Sequence, residues 1–281
     1  MKNNEPFRRV ILDWQKYARE DLDEVISKIL MGGKLSSEEW KKIVKTDTDK
    51  EIMQFYAKSK YYIYEILGPY LDPHKYKKDI NYGRIVDFAK KSLKKRGILK
   101  ALDFGGGVGE LCLLLWKEGI DVTYVDIKGK ISDFAIWRFK EYGADIQMIY
   151  ASIDDVSLPS EEYDLIISDA VIEHLKREHL ENFIRALGGG LKLQSFLYLL
   201  WDPTYTKNFP MHILGLKQID TFTQRYGLFR ISDNLYVKSP ALKHRIVSQL
   251  FLLKYSRFFG KIVKKVYRSW NFLFHTMGII P

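Results

Sequence analysis

The sequence predicts an α/β fold in which a doubly wound, mostly parallel sheet carries helices on both faces. Three observations support this prediction. From residue 98 onward, short apolar runs alternate with segments of helical periodicity. A glycine-rich turn follows the first apolar run at residues 105–109, and an acidic residue, Asp126, closes the second. In such sheets, ligands bind beyond the carboxyl ends of the strands, where both features fall.

The alternating region predicts five parallel strands and the helices between them. The strands are expected at 101–104, 122–126, 145–150, 165–168 and 196–201, and the helices at 110–117, 132–142 and 178–187. Three consecutive glycines at 188–190 are expected to separate the last helix from its strand. Two short late strands are expected at 229–232 and 235–237. Together these elements predict a Rossmann-like sheet with right-handed connections.

The first 95 residues are predicted to be helical. Ser36 and Thr48 each open a capping-box pattern, and the helix that begins at Thr48 is expected to stop at Gly68-Pro69. The segment is rich in tyrosine, and Tyr56 and Tyr62 are candidate walls of an acceptor pocket. The alternative is that these rings only dock the helices onto the sheet.

The glycine turn predicts a ligand that approaches the backbone closely but carries no phosphate. Gly105, Gly106, Gly107 and Gly109 resemble a dinucleotide fingerprint, but Glu110 stands where the third glycine belongs. A carboxylate at that helix N-terminus would repel a pyrophosphate. S-adenosylmethionine meets these requirements, and Asp126 lies at the spacing expected of a carboxylate that binds a ribose. The alternative is a glycine turn that binds no ligand.

Residues 99 to about 200 resemble a class I S-adenosylmethionine-dependent methyltransferase. The resemblance rests on four segments in the family's order, which are Asp103–Gly109, Tyr124–Ile127, Ser152–Asp155 and Tyr163–Leu175. It implies S-adenosylmethionine as cofactor and a Rossmann-like fold with an antiparallel edge pair. The cofactor-binding residues that follow are Asp103, Gly105, Gly106, Gly107, Gly109, Asp126, Ile127, Ile153, Asp154 and Asp169.

Two histidines are candidate catalytic bases. His174 follows the fourth strand, at the edge of the sheet where ligands bind, and histidine has a pKa of about 6.5 that suits proton removal. The alternative is that His174 packs against the cofactor or orders its loop. His212 lies past the fifth strand and is the second candidate. The six histidines show no spacing typical of metal ligands, so no metal is expected.

The positive charge of the chain is concentrated at its C-terminal end. The net charge is +10, yet residues 234–281 hold nine lysines and arginines and no acid. Residues 246–274 also have apolar side chains at helical spacing, which predicts an amphipathic helix with a cationic face. Three interpretations stay open: binding to an anionic membrane surface, binding to RNA, or docking on this chain or on a second subunit in a homodimer.

The sequence therefore predicts a methyltransferase that acts on oxygen or nitrogen of a small-molecule, sugar or lipid-linked acceptor. An RNA methyltransferase and an inactive cofactor-binding partner subunit are the alternatives, with nucleic acid less favoured. Three regions are expected: a helical N-terminal cap at 1–95, the cofactor domain at 96–237 and a basic extension at 238–281. A single cysteine, Cys112, and an N-terminus without an apolar segment favour a cytoplasmic protein, with membrane association through the extension left open.

Overall fold

The computed structural model describes residues 5–72, 78–93, 97, 99–152, 156–201, 219–232 and 234–239. A seven-stranded sheet forms its centre. The strands are β1 (Lys100–Phe104), β2 (Asp121–Asp126), β3 (Gln147–Tyr150), β4 (Tyr163–Asp169), β5 (Leu191–Leu200), β6 (Leu228–Ser232) and β7 (Leu235–Lys238). Their order is β3-β2-β1-β4-β5-β7-β6. The first five are parallel, whereas β7 pairs antiparallel with β5 and β6. The predicted fold class is confirmed.

Ten α-helices surround the sheet within the described residues. They are α1 (Glu5–Ala18), α2 (Leu22–Leu30), α3 (Gly32–Ile43), α4 (Asp49–Lys58), α5 (Tyr62–Leu71), α6 (Lys78–Phe88), α7 (Glu110–Lys117), α8 (Lys130–Glu141), α9 (Arg177–Gly190) and α10 (Ile219–Arg225). A π-helical turn at Ala89–Leu93 extends α6, and a 3-10 turn at Ile172–His174 follows β4.

The sheet separates two hydrophobic clusters. Neighbouring residues of a strand point to opposite faces, so Ala101 belongs to one cluster and Leu102 to the other. The larger cluster also contains Trp14 of α1 and Leu67 of α5. The N-terminal helices and one face of the sheet therefore share a core.

Two helix boundaries in the N-terminal region differ from the prediction. Thr48 does cap α4 in a capping box with Glu51. The predicted Ser36 cap is wrong, because α3 already begins at Gly32. A Cβ built at Gly32 would lie 2.7 Å from the backbone nitrogen of Glu65. Glycine thus permits a close approach of α3 to α5, and this tertiary contact places the start of the helix.

The helix predicted from Thr48 to Gly68-Pro69 is two helices. Ser59 ends α4, and its hydroxyl accepts a hydrogen bond from the backbone N–H of Tyr62 at 2.9 Å as α5 begins. Helix α5 then continues through Pro69 to Leu71. The buried side chains of Leu67 and Tyr70 hold this last turn in the core, which offsets the backbone hydrogen bond that proline removes.

The glycines at 188–190 belong to α9, and β5 begins at Leu191 without a loop. The prediction of a glycine linker before a strand at 196–201 is therefore wrong. A Cβ built at Gly190 would lie 3.3 Å from Cδ1 of Ile166. The glycine end of the helix thus packs directly on the sheet.

Candidate active site

A cavity of about 620 Å³ opens at the carboxyl ends of β1, β2 and β4. Helices α4 and α5 form its roof, through Tyr56, Tyr62, Glu65 and Ile66. The roof lies close to the glycine turn, since a Cβ built at Gly107 would be 4.0 Å from Cγ2 of Ile66. The cavity is therefore enclosed between the N-terminal helices and the edge of the sheet.

The glycine turn is held by backbone hydrogen bonds to β2. The N–H groups of Gly105 and Gly106 donate to the carbonyl oxygen of Val125 at 2.8 and 3.2 Å. A Cβ built at Gly105 would lie 2.1 Å from Cγ2 of Val171. Glycine at this position therefore permits the close packing of Val171 against the turn.

Asp126, at the end of β2, is tied to the turn. Its Oδ2 accepts hydrogen bonds from the N–H of Gly107 at 2.8 Å and the hydroxyl of Tyr124 at 3.2 Å. Its Oδ1 accepts from the N–H of Ile127 at 2.7 Å. Burial raises the pKa of Asp126 to about 6, and these three donors oppose the rise. The carboxyl group is therefore ionised at neutral pH.

Three further predicted cofactor residues line the cavity, and one does not. Asp103, Ile127 and Asp169 all contribute to its surface. Gly109 instead begins α7 with φ +73°, and a Cβ there would lie 2.6 Å from the ring of Phe139. The place of Gly109 is thus in the packing of α7 on α8.

The expectation that Glu110 would face a bound ligand is wrong. Its side chain is buried beneath the turn, where Oε2 lies 2.5 Å from Nη2 of Arg138. The same guanidinium donates to Oδ2 of Asp13 on α1 and to the carbonyl oxygen of Val108, both at 2.8 Å. Burial raises the pKa of Glu110, and the positive charge of Arg138 offsets part of that rise. The carboxylate serves the fold and does not decide which ligand binds.

Tyr56, Tyr62 and His174 form an aromatic wall beside the glycine turn. The hydroxyl of Tyr56 lies 2.9 Å from Nδ1 of His174, and their ring centroids are 5.7 Å apart. The rings of Tyr56 and Tyr62 are 5.2 Å apart. Burial raises the pKa of both tyrosines well above the usual value, so both hydroxyls stay protonated.

A second contact joins α4 to the segment after β4. Lys176 and His179 hold the two carboxylate oxygens of Asp49, each at 2.9 Å. The hydrogen bond from Lys176 is the main cause of the lowered pKa of Asp49, and His179 adds to it. Asp49, Glu178 and His179 lie close enough to hold a metal ion. The ammonium group of Lys176 already supplies a cation there, so the cluster acts as an ion pair.

Some sequence predictions fall outside the described residues. These are the cofactor residues Ile153 and Asp154, the base candidate His212 and the amphipathic helix at 246–274. They stay predictions. Within the described part of the chain, none of the helices has both the length and the hydropathy that a membrane crossing requires.

Residues 101–193 match a family described as "Methyltransferase domain". This stretch runs from β1 to the first part of β5, and so contains the glycine turn, Asp126 and His174. The chain contains a class I S-adenosylmethionine-dependent methyltransferase domain. The donor of the methyl group in this family is S-adenosylmethionine, and the match covers about a third of the 281 residues.

The methyltransferase domain is also similar to curated proteins. N-terminal Xaa-Pro-Lys N-methyltransferase 1 from Bos taurus is 32% identical over 151 residues, which is 50% of this chain and 66% of that protein. The protein of the same name from Homo sapiens is 32% identical over 153 residues, with the same two coverages. The match thus spans just under two thirds of the length of these relatives.

Solved structures give more distant similarities. YcgJ from Bacillus subtilis is 17% identical, with a TM-score of 0.43, over 53% of this chain and 68% of that chain. An S-adenosylmethionine-dependent methyltransferase from Archaeoglobus fulgidus is 22% identical, with a TM-score of 0.40, over 51% and 69%. TM-scores below 0.5 are too low to carry an argument.

The residues of the methyltransferase domain fit the cofactor. Gly107 faces the cavity, and a Cβ there would occupy space that its absence leaves open. A carboxylate offers about four acceptor positions, and on Asp126 three of them are used by the N–H groups of Gly107 and Ile127 and the hydroxyl of Tyr124. One position remains for a ribose hydroxyl. For Asp126 to bind both hydroxyls of a ribose, one of these three donors would have to break its hydrogen bond.

Sequence reasoning missed Glu65 as part of the site. It lies on α5 and lines the cavity beside the aromatic wall. Burial raises its pKa to about 8, with a smaller opposing influence from the hydroxyl of Ser36. The available signal was a single carboxylate within the apolar segment Tyr62–Leu71. Tyr62 and Ile66 flank Glu65 at helical spacing and face the same cavity.

Proposed function

We propose that this chain is an S-adenosylmethionine-dependent N-methyltransferase whose acceptor is an amine that enters the cavity as an ammonium ion. One observation carries the proposal. Within the described residues, five acidic side chains line the cavity, whereas no lysine or arginine does. The acids are Glu65, Asp103, Asp126, Asp169 and Glu173. Such a surface attracts cations and repels anions.

The charge of the cofactor accounts for only part of this acidity. S-adenosylmethionine carries a sulfonium, an ammonium and a carboxylate, so its net charge is +1. Asp126 and the acids beside the glycine turn can balance the net positive charge of the cofactor. Glu65 and Glu173 lie near the aromatic wall, since both raise the pKa of Tyr56 and Tyr62. Of the two, Glu65 has a buried Oε2 without a hydrogen-bond partner among the described residues, and this oxygen can receive a second cation.

The aromatic wall suits the same ligand. Tyr56 and Tyr62 present ring faces and edges beside the acids, and an alkylammonium group is attracted to an aromatic face. A phosphate would instead lie among carboxylates with no cationic partner from the described lining. The cavity therefore argues against an acceptor that presents a phosphate at the reacting end.

The curated relatives support an amine of a particular kind. Their name specifies methylation of nitrogen at an N-terminal Xaa-Pro-Lys sequence. A protein or peptide with a free α-amine is therefore the first acceptor class to test, and small amines are the second. The sequence also predicts a sugar or lipid-linked acceptor. Methylation of a hydroxyl of such an acceptor would show that the acceptor atom is oxygen and not nitrogen. Cytoplasmic location, the basic extension and a homodimer stay predictions.

The cofactor would supply the reactive methyl group, and the protein aligns the acceptor and excludes water. In this proposal, Gly107 and Asp126 hold the cofactor, Tyr56 and Tyr62 close the acceptor side, and His174 holds Tyr56 in place from the sheet side. The nitrogen attacks with its lone pair, so the ammonium must first lose a proton.

The test is a transfer assay with S-adenosylmethionine labelled at the methyl group. Its acceptors are an Ala-Pro-Lys peptide, the same peptide acetylated at its N-terminus, a panel of small amines, sugar alcohols and RNA. We expect label on a free amine and none on the acetylated peptide's terminus. Label only on a hydroxyl or on RNA would overturn the proposal. So would cofactor binding without transfer to any amine, which would favour an inactive partner subunit.

A further inference from the structure

We propose that Glu65 is the group that receives the acceptor: its carboxylate binds the ammonium in the cavity and takes the proton that must leave nitrogen before the methyl group is transferred. The inference rests on the proposed function, because an amine acceptor is what brings such a proton. It adds a named residue, on the N-terminal helices, that lies outside the matched methyltransferase domain.

Glu65 lines the roof of the cavity near the glycine turn. It precedes Ile66, whose side chain lies above Gly107, and it follows Tyr62 by one helical turn. All four residues line the same cavity. Glu65 thus forms part of the roof near the glycine turn.

The bonding of Glu65 is incomplete without a ligand. Its Oε2 is buried and has no hydrogen-bond partner among the described residues. A buried carboxylate that lacks a partner is costly, and such a group becomes neutral or acquires a cation. An ammonium ion would supply both the positive charge and the missing donor.

The proton affinity of Glu65 also suits this exchange. Burial raises its pKa to about 8, and the α-amine of a peptide has a pKa of about 7.7–8.0. Proton transfer between two groups of similar pKa is nearly balanced in free energy, which favours general base catalysis near neutral pH. A carboxylate with the ordinary pKa of glutamate would hold the proton far less well.

His174 is the competing base, and its contact with Tyr56 argues for another task. The hydroxyl of Tyr56 has Nδ1 of His174 as its hydrogen-bond partner among the described residues. A protonated phenol donates the hydrogen bond, so Nδ1 is the acceptor. A neutral imidazole ring then carries its hydrogen on Nε2. In this tautomer His174 is a donor and a positioning residue.

The other polar and titratable groups around Glu65 come from five elements. They are Ser36 on α3, Tyr56 on α4, Tyr62 on α5 and Glu173 with His174 on the 3-10 turn, with Asp126 of β2 across the cavity. Both tyrosines stay protonated at neutral pH. The negative charge of Glu173 favours a cation beside Glu65. None of these neighbours is a lysine or arginine that would take the place of a ligand cation.

The step balances in atoms and charge. Burial keeps a proton on Glu65 at neutral pH, and this proton leaves to solvent when the ammonium R-NH₃⁺ binds. The ammonium then passes one proton to the Glu65 carboxylate and becomes R-NH₂. Its lone pair forms the N–C bond to the methyl carbon while the C–S bond breaks and leaves its electron pair on sulfur. The products are R-NH₂⁺-CH₃ and neutral S-adenosylhomocysteine. Glu65 then releases its proton to solvent as the product leaves.

The binding test does not depend on knowing the acceptor. Sinefungin is a cofactor analogue that carries an ammonium group near the position of the transferred methyl, whereas S-adenosylhomocysteine is neutral there. Calorimetry would compare both ligands for the full-length wild type, Glu65→Gln, Glu65→Asp and Glu24→Gln. Glu24 is a matched control, because it is exposed on α2 and pairs with Lys28 at 2.7 Å away from the cavity.

We expect Glu65→Gln to bind S-adenosylhomocysteine within about twofold of wild type and sinefungin at least about tenfold more weakly, since it loses a charge-assisted contact. Glu65→Asp should recover part of that loss, and Glu24→Gln should match wild type. With an amine acceptor, Glu65→Gln should lower kcat by about 100-fold, a typical effect of removing a general base.

A measurement on the wild type covers the case in which Glu65→Gln does not fold. Near pH 7, sinefungin should displace close to one proton from the enzyme, and S-adenosylhomocysteine should displace almost none, as seen in buffers of different ionisation enthalpy. Equal sinefungin affinities in Glu65→Gln and wild type, or no extra proton release, would overturn the role of Glu65. Neither result touches the proposed function, which fails only if no amine is methylated.

Discussion

The hydroxyl of Tyr56 on α4 meets Nδ1 of His174 after β4 at 2.9 Å, although 118 positions separate the two residues. This hydrogen bond ties the N-terminal helices to the carboxyl edge of the sheet. The ion pairs of Asp49 with Lys176 and His179 do the same about two turns away on α4. The acceptor side of the cavity is therefore built from both parts of the chain.

Tyr56→Phe should lower turnover without weakening the cofactor. The ring keeps its place in the wall, but Nδ1 of His174 loses its donor, and an unsatisfied buried group costs about 1–3 kcal/mol. We expect kcat to fall about tenfold and the Kd of S-adenosylmethionine to stay within about twofold, by steady-state kinetics and calorimetry. Tyr61→Phe, at a neighbouring position outside the cavity lining, is the control. An unchanged kcat would contradict the positioning of His174 by Tyr56.

Asp126→Ala should weaken S-adenosylmethionine by about 100-fold, because hydrogen bonds to a charged group contribute about 1.5–3 kcal/mol. The wild type should also lose affinity as pH falls. The pKa of Asp126 is raised to about 6, so the carboxylate is a full acceptor above that pH and is progressively protonated below it. Calorimetry between pH 5 and 8 would measure both effects. Asp121→Ala, at the exposed start of the same strand, should behave as wild type, and a pH-independent affinity would be inconsistent with this role.

Gly107→Ala and Gly109→Ala should separate ligand binding from folding. At Gly107 the added methyl group meets protein atoms only at 3.9 Å or beyond, so the cost is the strain of φ +53°, about 1 kcal/mol. It fills cavity space, and the cofactor should bind at least about tenfold more weakly. At Gly109 the methyl group meets the Phe139 ring at 2.6 Å, and strain plus overpacking should cost about 3 kcal/mol. Thermal denaturation with calorimetry would test the contrast, which equal losses of stability would refute.

Glu65→Gln should stabilise the fold increasingly as pH rises. The pKa of Glu65 is about 8 in the folded chain and 4.5 in its ordinary state. Between these values folding takes up a proton, so the stability of wild type falls with rising pH by about 1.4 kcal/mol per unit. The glutamine variant lacks this dependence, and the gap in free energy of unfolding should widen from pH 5 to 8 and then level off. Parallel stability curves from urea titrations would show that Glu65 is not held in a neutral form.

Much of the methyltransferase domain was predictable because local signals and tertiary structure agree there. The strands that end at Phe104 and Asp126 end where the sequence places them, and α7 has its predicted bounds. A glycine turn after an apolar run and an acid after the next are local patterns. They determine where the cofactor cavity lies without information from distant residues.

The errors arose where a distant contact decides the local structure. The start of α3 depends on how closely Gly32 approaches Glu65, and the helical end of α9 depends on the packing of Gly190 on Ile166. Glu110 was expected at the place where a pyrophosphate would rest, because its partner, Arg138, lies 28 positions away and could not be inferred locally. Glu65 was missed because only the folded chain brings α5 over the glycine turn.

The contact of Arg138 with Asp13 has a practical consequence. A recombinant fragment that starts at β1 would lack Asp13, one of the two carboxylates that pair with Arg138. The buried guanidinium would then keep only half of its counter-charge. A chimera that takes α1 from a homologous enzyme therefore needs an aspartate at position 13. Otherwise residues 13 and 138 should be replaced together by neutral side chains.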